Sequence, residues 1–212
     1  MKRWTAAGIA GCIFLCMCTP DVQAVEPERR KIALTFDDGP HPVYTKEMLD
    51  VLEQEQVPAT FFLLGENIEQ YGEEVQEIAE QGHLIGNHTW HHVQINTLSL
   101  EEAMREIQAV SDLVEELTGT GTTYVRPPFG TWNPQLEEEL DMIPVLWTID
   151  TLDWTTGNVD WIVEKTIQSA GENDIILMHD SYKSSVQAAE RIIKRLKAEG
   201  FEFVTVDEVI MD

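Results

Sequence analysis

The chain has 212 residues, of which 43% are hydrophobic, so it is long and apolar enough for one domain with its own core and is not intrinsically disordered. Its 38 acidic side chains outnumber its 14 basic ones, which gives a formal net charge of −24 at pH 7. A surface of that sign repels phosphate backbones and anionic lipids, so we expect no nucleic-acid partner and no peripheral membrane binding.

The N-terminal segment has the organisation of a secretory signal peptide. The basic pair Lys2-Arg3 precedes an apolar run over residues 4–17, and Val22-Gln23-Ala24 ends the segment with small residues at both cleavage positions. We therefore expect residues 1–24 to be removed and the remainder to be secreted or associated with the cell wall. Two alternatives stay open: an uncleaved anchor, which would be the chain's membrane contact, and a lipoprotein cleavage box at residues 9–12.

All the cysteines lie in this segment, at Cys12, Cys16 and Cys18. The domain that follows, residues 25–212, would therefore contain no disulfide, no thiol nucleophile and no zinc ligated by cysteine. It shows no break in composition, no linker and no internal repeat, which favours a single domain without an implied stable protein partner.

The rest of the chain alternates predicted strands with predicted helices. Apolar runs bounded by turn residues predict strands at 31–36, 59–64, 84–86, 123–125, 143–149, 174–178 and 201–205. Amphipathic spacing and capping residues predict helices around 48–52, at 70–81, at 99–119, after 133–134, at 158–170 and at 185–199. About seven such strand–helix units predict an α/β fold with a parallel sheet, either open or closed into a barrel.

The chemically capable side chains fall just after the ends of these strands. They are Asp37, Asp38, His88, Arg126, Asp150 and His179. Because active sites of parallel α/β folds collect at the carboxyl ends of the strands, this distribution predicts one site built from five strands.

Two of these positions have the spacing of metal ligands. His88 and His92 are four residues apart, so one helical turn would align their imidazoles and leave His91 facing solvent. Two histidines and a carboxylate bind catalytic Zn²⁺ and leave a position for water, but they also suit non-haem iron oxygenases. A polar loop whose histidines only form hydrogen bonds is the third interpretation.

Five motifs, taken in order, resemble a known family. They are Thr35-Phe36-Asp37-Asp38-Gly39-Pro40, His88-Thr89-x-x-His92, Arg126-Pro127-Pro128-Phe129-Gly130, Asp150-x-x-Asp153-Trp154 and Leu177-x-His179. The series resembles the polysaccharide deacetylases with a NodB homology domain, carbohydrate esterase family 4, and among them the peptidoglycan N-acetylglucosamine deacetylases. The resemblance spans Lys31 to the C-terminus and implies an irregular, incomplete (β/α) barrel of about seven strands.

The resemblance also implies a metal-dependent hydrolysis. Asp38, His88 and His92 would hold a divalent metal, commonly zinc, with cobalt or another divalent ion as alternatives. Asp37 would be the general base that takes a proton from the attacking water.

Further roles follow from the same resemblance. His179 would protonate the departing amine, and Asp153 would hold His179 and favour its charged form. Arg126 would orient Asp37 and would share that task with Asp150.

Three residues are expected to contact the substrate. The backbone N–H of Phe129 would stabilise the oxyanion, and Trp154 and Leu177 would line a pocket for the acetyl methyl group. The family often has an aromatic hydroxyl at the position of Phe129, so a side-chain hydrogen bond to sugar is absent here.

The expected function is removal of N-acetyl groups from N-acetylglucosamine units of a polysaccharide, with peptidoglycan as the expected polymer. Chitooligosaccharide deacetylation and acetyl-xylan O-deacetylation are alternatives with the same chemistry. An inactive carbohydrate-binding module would be expected to lack a ligand or the base, whereas all five expected metal, base and acid residues are present: Asp37, Asp38, His88, His92 and His179. An iron oxygenase is disfavoured because such enzymes usually use jelly-roll strands.

Overall fold

A computed structural model describes Met1 and residues 30–211 of the chain. The signal-peptide prediction falls, apart from Met1, outside the described residues. Within those residues no helix combines the length and the apolar character needed to cross a membrane.

One parallel sheet forms the centre of the fold. Its strands are β1 Arg30–Gly39, β2 Thr60–Leu63, β3 Leu84–Asn87, β4 Tyr124–Val125, β5 Ile143–Pro144, β6 Ile149–Asp150, β7 Asp174–His179 and β8 Phe201–Val204. Seven strands follow the order β5-β4-β3-β2-β1-β7-β6, and β8 pairs with the first half of β1. The sheet curls into a half-barrel whose end strands β5 and β6 do not pair, so the predicted incomplete barrel is confirmed.

Helices pack against the sheet, most of them on its outside, whereas Val206 of the last one joins the apolar cluster inside the half-barrel. They are α1 Tyr44–Glu55, α2 Gly65–Gln70, α3 Gly72–Glu80, α4 Leu100–Thr118, α5 Gln135–Glu139, α6 Val159–Ser169, α7 Lys183–Ala198 and α8 Val206–Ile210. As predicted, α4 begins at a capping box formed by Ser99 and Glu102 and ends at Gly119, whose φ of 80° gives a left-handed cap. Asn158 caps α6 through a hydrogen bond from the amide of Trp161.

Alternating side chains of the strands build two separate apolar layers. Phe61 packs outward into the main core between the sheet and the helices, whereas its neighbour Phe62 points into the half-barrel. Inside the barrel Phe62 joins a smaller cluster with Tyr124 and Val145. This inner layer forms the floor on which the polar site rests.

One predicted strand is divided in the structure, and one predicted helix begins later than expected. The strand predicted at 143–149 is β5 and β6, which lie at opposite ends of the sheet. Between them the carbonyls of Val145 and Leu146 turn towards a buried arginine, and this diverts the chain from a continuous strand. The helix predicted at 70–81 is α3, which begins at Gly72 because Tyr71, with a φ of −131° and a ψ of 47°, is not helical; α2, which ends at Gln70, was not predicted.

The register of the parallel strands brings the polar residues to one level. Asp37 of β1 pairs with His179 of β7, and Asn87 of β3 pairs with Val125 of β4. The residues that follow this second pair therefore emerge side by side at the carboxyl edge of the sheet: His88 and Arg126.

Candidate active site

A bulge lets two consecutive acidic residues face the same cavity. Successive side chains of a strand normally point to opposite faces. The pairing of β1 with β2 shifts register between Asp37 and Gly39, and Asp38 has a φ of 69°. As a result, both Asp37 and Asp38 line a cavity of about 290 Å³.

Asp38, His88 and His92 form a cluster that fits a metal ion. One ligand atom from each of them lies within 4.8 Å of the others. The Asp38 Oδ1 atom is 3.4 Å from His88 Nε2 and 3.5 Å from His92 Nε2, and it is buried without a hydrogen-bond partner. An orphaned carboxylate oxygen facing two imidazole nitrogens is the donor set that a divalent metal requires.

The tautomer of His88 suits this arrangement. Its Nδ1 lies 2.6 Å from the carbonyl oxygen of Arg126, which can only accept, so Nδ1 carries the proton and Nε2 presents its lone pair to the cluster. Burial raises the pKa of Asp38, but its close contact with His88 and the positive charges that His88, His179 and His92 carry when protonated outweigh that effect and lower the pKa overall. Burial and the charge of His88 also lower the pKa of His92, which favours the neutral ligand form.

The predicted helical turn at 88–92 is wrong. The segment after β3 is an irregular loop in which Thr89 and His92 have left-handed backbone angles, with φ of 68° and 52°. The two imidazoles still come together, with ring centroids 5.1 Å apart, because the loop curves back on itself. His91 is exposed, as predicted, and its Nδ1 lies 2.8 Å from Glu106 Oε1.

Arg126 is completely buried and holds Asp37. Its Nη1 donates to Asp37 Oδ1 at 2.7 Å and to Thr35 Oγ1 at 2.6 Å. The other donors reach the carbonyls of Val145 at 3.3 Å and Leu146 at 3.2 Å, and the guanidinium stacks 4.1 Å from the ring centroid of Phe62. Every side of this cation therefore has a partner, and Asp37 is fixed with one oxygen occupied.

The Asp150 carboxylate has a different partner from the one expected. It lines the same cavity, but its Oδ1 accepts a hydrogen bond from the amide of Leu152 at 2.8 Å. Among the hydrogen bonds of the described residues none joins Asp150 to Arg126. Asp37 is oriented by Arg126, which is in turn held by Thr35 and the two carbonyls.

His179 faces the cluster from the other side of Asp37. Its Nδ1 lies 2.9 Å from Asp153 Oδ1, while Asp153 Oδ2 accepts from the His179 amide at 2.9 Å and from Ser185 Oγ at 2.5 Å. The other ring nitrogen, Nε2, is 3.9 Å from Asp38 Oδ2. Burial lowers the pKa of His179, but the hydrogen bond and charge of Asp153, with the charges of Asp37 and Asp38, raise it to about 9.

Aromatic and apolar side chains form the rim and walls of the cavity. Phe129 and Trp154 are exposed at 64% and 54%, whereas Leu177 is buried. Phe129 has a φ of 60° and packs edge-on against His92, with ring centroids 4.8 Å apart. Three further lining residues were not predicted from the sequence: Pro127, Trp147 and Tyr182.

Comparison with known proteins identifies the family. The family model described as polysaccharide deacetylase matches residues 24–144. The chain belongs to the polysaccharide deacetylase family. Over 190 residues it is 39% identical to the peptidoglycan-N-acetylmuramic acid deacetylase PdaC of Bacillus subtilis and 37% identical to the peptidoglycan-N-acetylglucosamine deacetylase PgdA of Listeria monocytogenes. Those matches cover 90% of this chain and 41% of each relative, so the chain spans less than half of either.

Solved structures of this polysaccharide deacetylase family share the fold. The structure of PdaC superposes with a TM-score of 0.84 at 39% identity, over 88% of this chain and 93% of that one. A protein of Bacillus anthracis described as a CE4 family pseudoenzyme superposes with a TM-score of 0.81 at 25% identity, over 87% of this chain and 66% of that one. The resemblance read from the five motifs is therefore confirmed at the level of family and fold.

Two residues support the polysaccharide deacetylase site although the sequence gives no sign of their role: Thr35 and Ser185. Thr35 lies within the first motif, but its hydroxyl contact with Arg126 depends on an arginine 91 residues away. Ser185, on α7, contacts Asp153 across 32 residues. No local pattern encodes contacts of this range, so only the fold reveals them.

The buried pair of Arg126 and Asp37 predicts a large loss of stability when the arginine is removed. In Arg126→Met the charge of Asp37 stays buried without its partner, which should cost about 3–5 kcal/mol. In Arg126→Met with Asp37→Asn the loss should be smaller than the sum of the single losses. Urea unfolding at pH 7 measures both.

The matched control for that measurement is Arg191→Met, since the pair of Arg191 with Asp160 is exposed. A surface pair of this kind contributes about 0–1 kcal/mol. Equal losses for Arg126→Met and Arg191→Met would contradict the importance of burial.

The contact of His179 with Asp153 predicts that stability falls with rising pH. Because the folded pKa of about 9 exceeds the ordinary histidine pKa of 6.5, this contribution is fully present below pH 6.5 and is lost as the pH rises through 9. A shift of this size corresponds to about 3 kcal/mol. Urea unfolding in chelator at several pH values should show this fall in the unmodified chain and a much smaller one in Asp153→Asn. Identical pH profiles would refute the assignment.

Proposed function

We propose that the chain hydrolyses the N-acetyl groups of N-acetylglucosamine units in peptidoglycan. The observation that carries the proposal is that Asp37 and His179, register partners on neighbouring strands, line one cavity together with Asp38. A base and an acid are thereby available beside one metal-binding cluster, which is what hydrolysis of an amide needs.

The metal would be held by Asp38, His88 and His92, and we propose zinc, with cobalt as an alternative. When bound, a divalent ion would polarise the acetamide carbonyl and lower the pKa of a water molecule in the cluster. The Nδ1 contact of His88 with the Arg126 carbonyl ties the metal cluster to the base, because the same residue donates to Asp37.

Asp37 would take the proton from the attacking water. Arg126 occupies its Oδ1, so the proton would go to Oδ2, which lies 3.7 Å from His88 Nε2 and faces the cluster. The fixed orientation of this oxygen means that no side-chain rotation has to precede the transfer.

His179 would supply the proton that the leaving amine requires. With its pKa raised to about 9, its ring is protonated at neutral pH, and Asp153 binds the Nδ1 side. The Nε2–H is left to donate to the amide nitrogen as the bond to the acetyl carbon breaks. The products are acetate and a free amino sugar.

The walls of the cavity would select the acetyl group and the sugar. Leu177 and the indole of Trp154 would enclose the methyl group, and the exposed face of Trp154 would stack on the sugar ring. The backbone N–H of Phe129 would stabilise the oxyanion. Phe129 itself has left-handed backbone angles, which are common at functional turns. Asp150 would contribute its negative charge at the edge of the same cavity.

Peptidoglycan is favoured among the substrates because PdaC and PgdA are both named as acting on it. Two alternatives are supported by other relatives: a chitooligosaccharide deacetylase of Rhizobium leguminosarum, 37% identical over 155 residues, and the CE4 domain of a xylanase, whose structure superposes with a TM-score of 0.80. An inactive module is disfavoured because the metal, base and acid residues are all present.

The location proposed for the protein follows from the same substrate. We propose that residues 1–24 are a signal peptide, that residues 25–212 form the deacetylase domain and that the protein acts outside the cytoplasm, secreted or on the cell wall. Its partner would be an N-acetylated glycan, without nucleic acid and without a stable protein partner.

Release of acetate tests the proposal. Residues 25–212 with zinc or cobalt should release acetate from glycan fragments or N-acetylglucosamine oligomers, and chelator should abolish the release. Asp37→Asn should bind the metal and lose at least about 100-fold in turnover because the base is removed.

Asp50→Asn, an exposed acid on α1, is the matched control and should keep full activity. If no acetate is released from any of these substrates, deacetylation is refuted. Full turnover by Asp37→Asn would refute the assignment of the base alone.

The acidic surface gives a separate prediction about salt. Peptidoglycan in the wall carries anionic polymer, so a chain of formal charge −24 is repelled from it at low ionic strength. Added salt shortens the screening length to about 10 Å at 0.1 M, so activity on wall fragments should rise. Neutral oligomers should respond little. An equal response of both substrates would exclude long-range charge from the function.

A further inference from the structure

We propose that Glu106 is a positioning residue that holds the loop between His88 and His92 in its metal-binding shape. The inference rests on the proposed metal site, but it concerns a residue outside the five motifs, on α4. Its carboxylate contacts neither the cluster nor the cavity, so it would act through the loop alone.

Glu106 binds the centre of the loop through both of its oxygens. Its Oε2 accepts from the backbone amides of Trp90 at 3.1 Å and His91 at 2.9 Å, and its Oε1 lies 2.8 Å from His91 Nδ1. The carboxylate is only 16% exposed, so it is itself largely shielded from solvent although its partner His91 is exposed. Hydrogen bonds from backbone amides to an ionised acceptor are stronger than those to a neutral one.

The opposite edge of the same loop is held by α2. The amide of Gly65 donates to the Thr89 carbonyl at 3.1 Å, and the amide of Glu66 donates to the Trp90 carbonyl at 3.2 Å. A Cβ atom at Gly65 would lie 2.4 Å from the Trp90 ring, so this close approach requires glycine. The peptide groups of the loop are therefore bound from both sides, by amides of α2 and by the carboxylate of α4.

A second contact from α4 fixes the start of the loop. The Asn87 amide group donates to the Ile107 carbonyl at 2.8 Å, and Asn87 Oδ1 accepts from the Thr89 amide at 2.9 Å. Ile107 is adjacent to Glu106, so two consecutive residues of one helix bind the loop. Because α4 is a long helix with a capping box, it provides a rigid support.

The loop needs such support because its backbone is unusual. Thr89 and His92 have left-handed φ values of 68° and 52°, which residues with a Cβ atom rarely adopt. Residues in these conformations persist where the surroundings impose them. Without Glu106 the loop would be free to relax, and the two imidazoles would no longer be held at their present distance from Asp38.

Metal affinity tests this role. Glu106→Ala should weaken the binding of Zn²⁺ by about 10-fold or more, as expected when a partner that orients metal ligands is lost. Glu106→Gln keeps an acceptor for the amides but loses the charge, so it should weaken binding by about threefold. The dissociation constants are measured by competition with a chelating dye, and unfolding temperatures are measured with and without Zn²⁺.

The matched controls are Glu116→Ala and Glu116→Gln, since Glu116 is an exposed acid on the same helix. Both should bind Zn²⁺ as tightly as the unmodified chain. If Glu106→Ala does not fold, Glu106→Gln decides by the same measurement: weaker binding supports the proposal, and unchanged binding overturns it.

The outcomes separate this inference from the proposed function. A lower unfolding temperature of the Glu106 variants in chelator, with an unchanged rise on adding Zn²⁺ and an unchanged dissociation constant, would show a purely structural role and overturn the inference. An unmodified chain that binds neither Zn²⁺ nor Co²⁺ would overturn the proposed metal site itself.

Discussion

The buried guanidinium of Arg126 is the interaction on which the rest of the site depends. A charge that is wholly removed from water needs partners, and here they come from three parts of the fold: β1, β2 and the segment between β5 and β6. Its contacts with Thr35 and Asp37 bind β4 to β1, and its contacts with the carbonyls of Val145 and Leu146 fix the segment that links the two open ends of the sheet. One cation thus shapes the half-barrel and orients the proposed base.

The same constraint explains how neighbouring acids acquire different surroundings. Asp37 turns inward to Arg126, whereas the bulge at Asp38 turns its carboxylate towards His88 and His92. The two roles would be incompatible in a regular strand, because alternation would send one of the acids to the helical side of the sheet. A local irregularity of β1 therefore makes the proposed division between a base and a metal ligand possible.

Most of the fold and most of the site residues could be predicted from the sequence, because hydrophobic runs, caps and ordered motifs are local signals. The capping box at Ser99 and the acids that follow β1 are examples. The split of residues 143–149 could not be predicted, because it depends on hydrogen bonds to Arg126 that form only in the folded chain. The shape of the loop at 88–92 could not be predicted for the same reason. The four-residue spacing of His88 and His92 suits a helical turn, but contacts with α2 and α4 impose another conformation.

The excess of acidic residues is a property of the surface, whereas two of the acids on which the site depends are buried. Asp37 and Asp153 are both buried, and each has a cationic partner, Arg126 or His179. Asp180 is buried without a cation within hydrogen-bonding distance. It accepts a hydrogen bond from the hydroxyl of Thr45, and burial raises the pKa of its carboxyl group to about 7. At Asp180 burial therefore outweighs the hydrogen bond from Thr45, and the formal charge of the chain does not predict that result.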